Sequence, residues 1–313
     1  MAFFLGFDGG GTRTVACLTD DDGKVVARAE TGPSNPNKVG LRAASREIVR
    51  AYRECWRGSA FAAAGVKGMR APKLQALCAG ISGVGRTSVH RPLLAILRRH
   101  IPARRYLLTS DAVIALAAAV QDGVGIIVNA GTGSFAFARD DAGKLLRAGG
   151  WGVPFDDRGS GYELGRAAVA AGLEAFDGRG PQTQLTDRIS HYLGLRDITA
   201  IIAQQLPQPQ IAALFPLVME AASEGDLAAR HLCDKAARDL AALAIALLQR
   251  GRWTRGAIPV VTTGGVFRSS PLIRRAFARY LGRIAPQARV EMLQRPPVEG
   301  ALWLARHRGA RMS

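Results

Sequence analysis

FFLGFDGGGTRT, residues 3–14, decides how this chain is read. A short apolar run reaches an aspartate and three consecutive glycines, then Thr12, before a second apolar run opens at Thr14. That order gives a strand, a tight turn and a returning strand. Glycine has no Cβ, so its backbone can turn with positive φ and lie close to an anion, leaving its amides free to converge on a phosphate. Two companions follow, GIIVNAGTGSFAFA at 125–138 and IPVVTTGGVFRSS at 258–270. A single turn of this kind is common in plain hairpins. Three of them, each behind an apolar strand, read as nucleotide-phosphate loops. The first two are expected to be β-hairpins offering the amides of Gly10, Gly11, Gly131, Gly133 and Ser134 and the hydroxyls of Thr12 and Thr132. Two hairpins gripping one triphosphate from opposite sides imply a cleft between two domains.

Composition fits two α/β domains. A chain of 313 residues is long for one core, and 48% hydrophobic residues can fill two. No run of eighteen uncharged apolar residues occurs, and the sequence enters the first strand without a charged leader and apolar segment, so no membrane span and a cytoplasmic location are expected. Cys17, Cys55, Cys78 and Cys233 are scattered without ligand spacing and read as buried thiols. The formal charge of +17 raises nucleic acid as a partner. Only six of the 42 basic residues are lysine, however, and the arginines are spread along helices instead of forming one stripe. That distribution argues against nucleic acid, although a positive field would draw in polyphosphates.

Residues 3–8, 13–19 and 24–30 are expected to form an antiparallel meander with DDDG at 20–23 as a turn. A helix is expected over 41–64, a buried strand in KLQALCAGISG (73–83), a basic amphipathic helix over 88–100, and a strand, YLLTSD (106–111), that opens into the alanine-rich helix 112–120. Asp111 at that junction has a plain reading as a helix N-cap. Asp8 has one as a turn aspartate bonding its own loop. The chain then stays helical from 166 to the strand at 258–263; a helix starts at Pro271, and Pro296 and Pro297 precede a last helix that buries Val298, Ala301, Leu302 and Ala305.

The motifs FDGGGTRT, PSNPNKVG (33–40), LTSDA (108–112), NAGTGS (129–134), GGWGVPFDDRGSGYELGR (149–166) and TTGGVF (262–267) resemble the actin, hexokinase and heat-shock-70 superfamily, and within it the BadF/BcrA-type ATPases and N-acetylglucosamine kinases. The resemblance spans nearly the whole chain and is most specific in the tryptophan block. It implies a two-domain actin-like (ribonuclease H-like) fold with an interdomain cleft for nucleotide and sugar. The expected domains are 1–115 completed by the helix 297–313, and 116–296. It also implies an ATP-dependent kinase of N-acetylglucosamine or glucosamine at the 6-hydroxyl, using Mg2+. Asp111 matches the general base and Asp8 the metal-binding aspartate. Gly10, Gly11, Thr12, Gly131, Thr132, Gly133 and Ser134 match phosphate contacts, while Gly264 and Gly265 match the adenosine turn. Asn35, Gly150, Trp151 and Asp157 match sugar contacts. Asn35 between prolines also reads as a turn holder, and Asp157 as a partner of Arg158 or of another arginine. After the tryptophan, Val153, Pro154 and Phe155 depart from the eukaryotic kinases. Relatives often dimerise, so the resemblance allows a homodimer. A regulatory sugar-sensing ATPase and a dehydratase-activating ATPase are alternative readings, the latter requiring cluster-ligating cysteines.

Overall fold

The computed structural model describes residues 2–58, 74–85, 87–121, 123–254 and 256–307. The far end of the helix expected over 41–64, Lys73 at the head of the expected strand, and the C-terminal segment past His307 lie outside the described residues. The chain divides into two compact units, Met1–Gly123 with Leu293–Ser313, and Val124–Met292.

The first unit carries β1 (Phe4–Gly9), β2 (Thr14–Thr19), β3 (Val25–Thr31), α1 (Pro36–Val39), α2 (Leu41–Arg57), β4 (Ala76–Ile81), α3 (Thr87–His100), β5 (Tyr106–Thr109) and α4 (Asp111–Ala119). Its sheet has the order β3-β2-β1-β4-β5. The first three strands are the antiparallel meander, and β1, β4 and β5 run parallel. Alternation along β1 explains why both faces are covered. Leu5 and Phe7 face a core with Ile48 and Tyr52 of α2 and Leu93 and Leu97 of α3. Phe4 faces the opposite way, toward Ile114 of α4 and Val298 and Leu302 of α12 (Pro297–His307).

Small residues let that second layer approach. A Cβ on Gly6 of β1 would meet the Val298 carbonyl at 2.9 Å, and one on Gly80 of β4 would meet Ile114 Cδ1 at 2.4 Å. Because α4 lies whole in this layer with α12, the unit ends after α4, at Gly123, where the sequence reading had cut at 115/116 through the helix.

The second unit repeats the topology. It contains β6 (Gly125–Ala130), β7 (Ser134–Arg139), β8 (Leu145–Gly149), α5 (Gly161–Phe176), α6 (Leu185–Leu193), α7 (Gln208–Ala212), α8 (Phe215–Ser223), α9 (Leu227–Arg250), β9 (Ile258–Thr263), α10 (Gly265–Ser269), α11 (Pro271–Ile284) and β10 (Ala288–Met292). The sheet order β10-β9-β6-β7-β8 is the first unit's order with a second set of strands: a hairpin and a third antiparallel strand on one side, two parallel strands on the other. One apolar core joins this sheet to its helices, with Phe267 and Phe277 in edge-to-face contact at 5.3 Å.

Candidate active site

In the first unit the parallel strands β1, β4 and β5 end at one edge. Asp8 stands opposite Gly80, and Gly80 opposite Thr109, so the carboxylates of Asp8 and Asp111 belong to strand ends one strand apart. Both residues are half-buried. Burial, and next the charge of Asp111, push the Asp8 carboxyl up to about 6; Arg13 and Arg28 pull the other way. Burial also raises Asp111, against hydrogen bonds from the Ala112 amide and Ser82. A pair of carboxylates that disfavour each other's charge suits a hard cation, which would relieve both at once.

The helix cap at this edge is Ser110, not Asp111. The Ser110 Oγ accepts from the Val113 amide at 3.4 Å, and Asp111 is the first helical residue, its Oδ1 accepting from the Ala112 amide at 3.0 Å. The N-cap reading of Asp111 is thereby corrected: a serine one residue earlier does that work, and the aspartate is released to the strand edge.

Gly10 and Gly11 form the turn between β1 and β2, and Thr12 beside them is exposed. The Gly10 carbonyl accepts from the Ser34 and Asn35 amides at 2.9 and 3.1 Å, and the Gly9 carbonyl from the Ser82 amide at 2.8 Å. Asn35 holds a turn, as its plain reading has it. Its Oδ1 caps α1 by accepting from the Asn37 amide at 2.9 Å, while its Nδ2 donates to Ser82 Oγ at 3.3 Å. Ser82 therefore links Asn35 to Asp111, a role missed by the sequence reading, which treated GISG only as another glycine turn.

In the second unit the Gly131–Ser134 turn closes on itself through Gly131 N–H to the Gly133 carbonyl at 2.9 Å and rests on the start of α5, where the Gly161 amide donates to the Gly131 carbonyl at 2.8 Å. Thr132 is exposed. Ser134 is 1% exposed, and its Oγ donates to the Arg158 carbonyl at 2.7 Å. The hydroxyl thus ties the loop to the tryptophan block.

Asp157 in that block is buried and has φ of 66°, the one positive value among described non-glycine residues. Its Oδ1 accepts from the Ser134 amide at 3.4 Å. No ion pair of Asp157 forms among the described residues, so the pairing with Arg158 is not what fixes it. Burial raises its carboxyl, against the Ser134 amide.

Gly150, with φ of 73°, would carry a Cβ 2.9 Å from that of Phe135. Arg147 bonds the Gly149 carbonyl at 2.9 Å and that of Gly150, and its guanidinium stacks 4.7 Å over the ring of Trp151, which is otherwise 70% exposed. Arg147 is a second residue the sequence reading missed, because nothing in LLRAG marks it. Gly264, with φ of 101°, would place a Cβ 2.2 Å from the Ala130 carbonyl, whereas Gly265 meets only the Phe215 ring, at 3.7 Å. Packing fixes the first glycine, and the second leaves open backbone.

The four cysteines are buried free thiols, raised by burial, as expected of structural residues. No helix among the described residues is long and apolar enough to cross a membrane.

Residues 5–303 match the BadF/BadG/BcrA/BcrD ATPase family. The chain belongs to this family. An N-acetylmuramic acid/N-acetylglucosamine kinase from Clostridium acetobutylicum is 30% identical to it over 98% of this chain and 99% of the relative. An N-acetyl-D-glucosamine kinase from Dictyostelium discoideum is 28% identical over 96% and 97% of the two chains. A solved structure from Chromobacterium violaceum, provisionally named an N-acetylglucosamine kinase, superposes with a TM-score of 0.76 at 28% identity, over 97% of this chain and 99% of that one. The family member described here has the two-domain α/β fold of the actin-like ATPases.

The raised Asp8 carboxyl has a consequence for stability. Its folded pKa of about 6 exceeds the unfolded 3.8, so the folded state binds the extra proton and stability falls as pH rises from about 4 to about 6. Removing this penalty, Asp8→Asn is expected to stabilise the ligand-free protein by roughly 1–2 kcal/mol at pH 7.5, discounted for partial exposure, and to change nothing below pH 4. Urea unfolding of both proteins at the two pH values checks this; equal stability at pH 7.5 would show that the carboxylate is not held under strain.

Proposed function

We propose that this ATPase-family chain is an ATP-dependent hexosamine kinase, which transfers the γ-phosphate of ATP to the 6-hydroxyl of N-acetylglucosamine or glucosamine. The observation that carries the reading is the half-buried Asp111, released from capping by Ser110, on the same sheet edge as Asp8 and the Gly10–Gly11 turn. The names of the relatives support it.

Phosphoryl transfer asks the protein mainly to aim the acceptor oxygen in line and to take its proton late. Asp111 performs both steps: its carboxylate accepts a hydrogen bond from the hydroxyl, then the proton as the P–O bond forms. Burial raises its proton affinity, which favours that late transfer. Asp8, with Asp111 near it, is the carboxylate that would hold Mg2+, which when bound neutralises phosphate charge. The amides of Gly11, Thr12, Thr132 and Gly133, with the Thr12 and Thr132 hydroxyls, contact phosphates, while the Gly10, Gly131 and Ser134 amides hold the turns in shape by bonding the Arg13 carbonyl, the Gly133 carbonyl and Asp157 Oδ1. The open backbone at Gly265 receives the adenosine, at the turn that Gly264 sets by packing against Ala130. On the sugar, Asn35, Gly150, Trp151 and Asp157 are the contacts, with Asn35 and Asp157 already oriented by the bonds described above.

The experiment is coupled ADP release with Mg2+ and ATP across glucosamine, N-acetylglucosamine, N-acetylmannosamine, N-acetylmuramic acid and glucose. Turnover that depends on one amino sugar, at least about tenfold in kcat/KM over glucose, is expected from paired contacts to the carbon-2 substituent. Hydrolysis independent of sugar would overturn the kinase and favour a sugar-sensing ATPase.

A further inference from the structure

We propose that Lys38 is the phosphate-binding cation of the first glycine turn, an inference that rests on reading that turn as a phosphate loop. Lys38 sits on α1, and α1 is fastened to the turn through the backbone: Ser34 and Asn35 donate their amides to the Gly10 carbonyl at 2.9 and 3.1 Å, and the Lys38 amide donates to the Asn35 carbonyl at 3.0 Å. The side chain then lies back over the turn. A Cβ on Gly11 would meet Lys38 Cδ at 2.9 Å and Nζ also at 2.9 Å, so stem and ammonium rest against the one position whose lack of a side chain makes room for them.

Lys38 is exposed, and its ammonium forms no ion pair among the described residues. Arg13, the other cation of this turn, points to Glu30 at 3.5 Å. At Gly10 a Cβ would meet nothing nearer than the Arg13 carbonyl at 3.8 Å. The first turn therefore combines open backbone with an uncommitted point charge on a flexible stem, which is how lysine binds phosphate. The second turn has the opposite sign: a Cβ on Gly133 would meet the Asp157 carboxylate at 2.8 Å. Two similar hairpin turns thus differ in charge, and the first, which carries Lys38, is the one suited to an anion.

Calorimetric titration of ATP, ADP and AMP into the parent, Lys38→Met and Lys38→Arg, with Mg2+ and no sugar, tests this. Lys38→Met is expected to weaken ATP about tenfold, ADP less and AMP not at all, and to flatten the salt dependence of ATP binding; Lys38→Arg is expected to restore most of the affinity. ATP affinity within about twofold of the parent in Lys38→Met would overturn the proposal, as would an equal loss for AMP, which marks a structural effect. The titration contains no sugar, so a parent that binds ATP yet phosphorylates none of the sugars overturns the kinase reading while Lys38 is still decided by the affinities.

Discussion

Asp111→Asn is expected to lower kcat for sugar phosphorylation by about 10² to 10⁴-fold while ATP affinity stays within a few fold of the parent. The substitution removes the proton acceptor and little else. Ser110 still caps α4 through the Val113 amide, and the amide oxygen of asparagine can keep the 3.0 Å bond from the Ala112 amide. Turnover measured with the preferred amino sugar, beside ATP titration, separates chemistry from binding. A variant that keeps more than about a tenth of the parent's kcat would remove Asp111 from the role of base. A second readout is independent of turnover: without the Asp111 charge, which raises Asp8, the Asp8 carboxyl should titrate at a lower pH than about 6. Carboxyl NMR of Asp8 in both proteins would show the movement.

Gly300→Ala is expected to destabilise the protein by about 2–4 kcal/mol, against the roughly 1 kcal/mol that alanine normally gains over glycine inside a helix. The sign reverses because α12 crosses α4 at this residue: a Cβ would sit 1.9 Å from the Ile114 carbonyl oxygen and 2.5 Å from the Ala118 nitrogen. Both are backbone atoms of a helix that is buried almost all round, so neither can yield by a rotamer change. Gly282 of α11 supplies the control, since a Cβ there meets nothing within 4 Å, and Gly282→Ala should gain about 0.5–1 kcal/mol. Urea unfolding of the two variants decides it: losses of equal size, or a gain for Gly300→Ala, would show that the crossing tolerates a methyl group. Because α4 also carries Asp111, Gly300→Ala should lose turnover in samples that are still folded.

Much of this was legible in the residues. The meander, the hairpin at 125–138 and the strand before Gly264 follow from short apolar runs that end at glycine turns, a signal that depends only on residues close in sequence. The burial of α12 followed from apolar spacing at Val298, Ala301, Leu302 and Ala305. What was not legible depends on partners distant in sequence. Ser110 and Asp111 are both acceptable caps, and only the backbone at the end of β5 selects the serine. Asp157 read equally as a sugar contact or a partner of Arg158, and only the approach of the Ser134 amide shows where its carboxylate is held. Lys38 lies in PSNPNKVG but no reading of that motif gave it a role, and Arg147 lies in none; they matter because of Gly11 and Trp151, which the fold brings against them.

The first unit is assembled from two stretches of chain that flank the second one. During synthesis the whole of Val124–Met292 therefore leaves the ribosome before α12 does, and it can complete its own core first. Until α12 arrives, Phe4, Ile114 and Gly6 present an uncovered apolar face, the kind of surface a holding chaperone binds. The sheet edge bearing Asp8 and Asp111 thus takes its final form late, after the rest of the molecule is built.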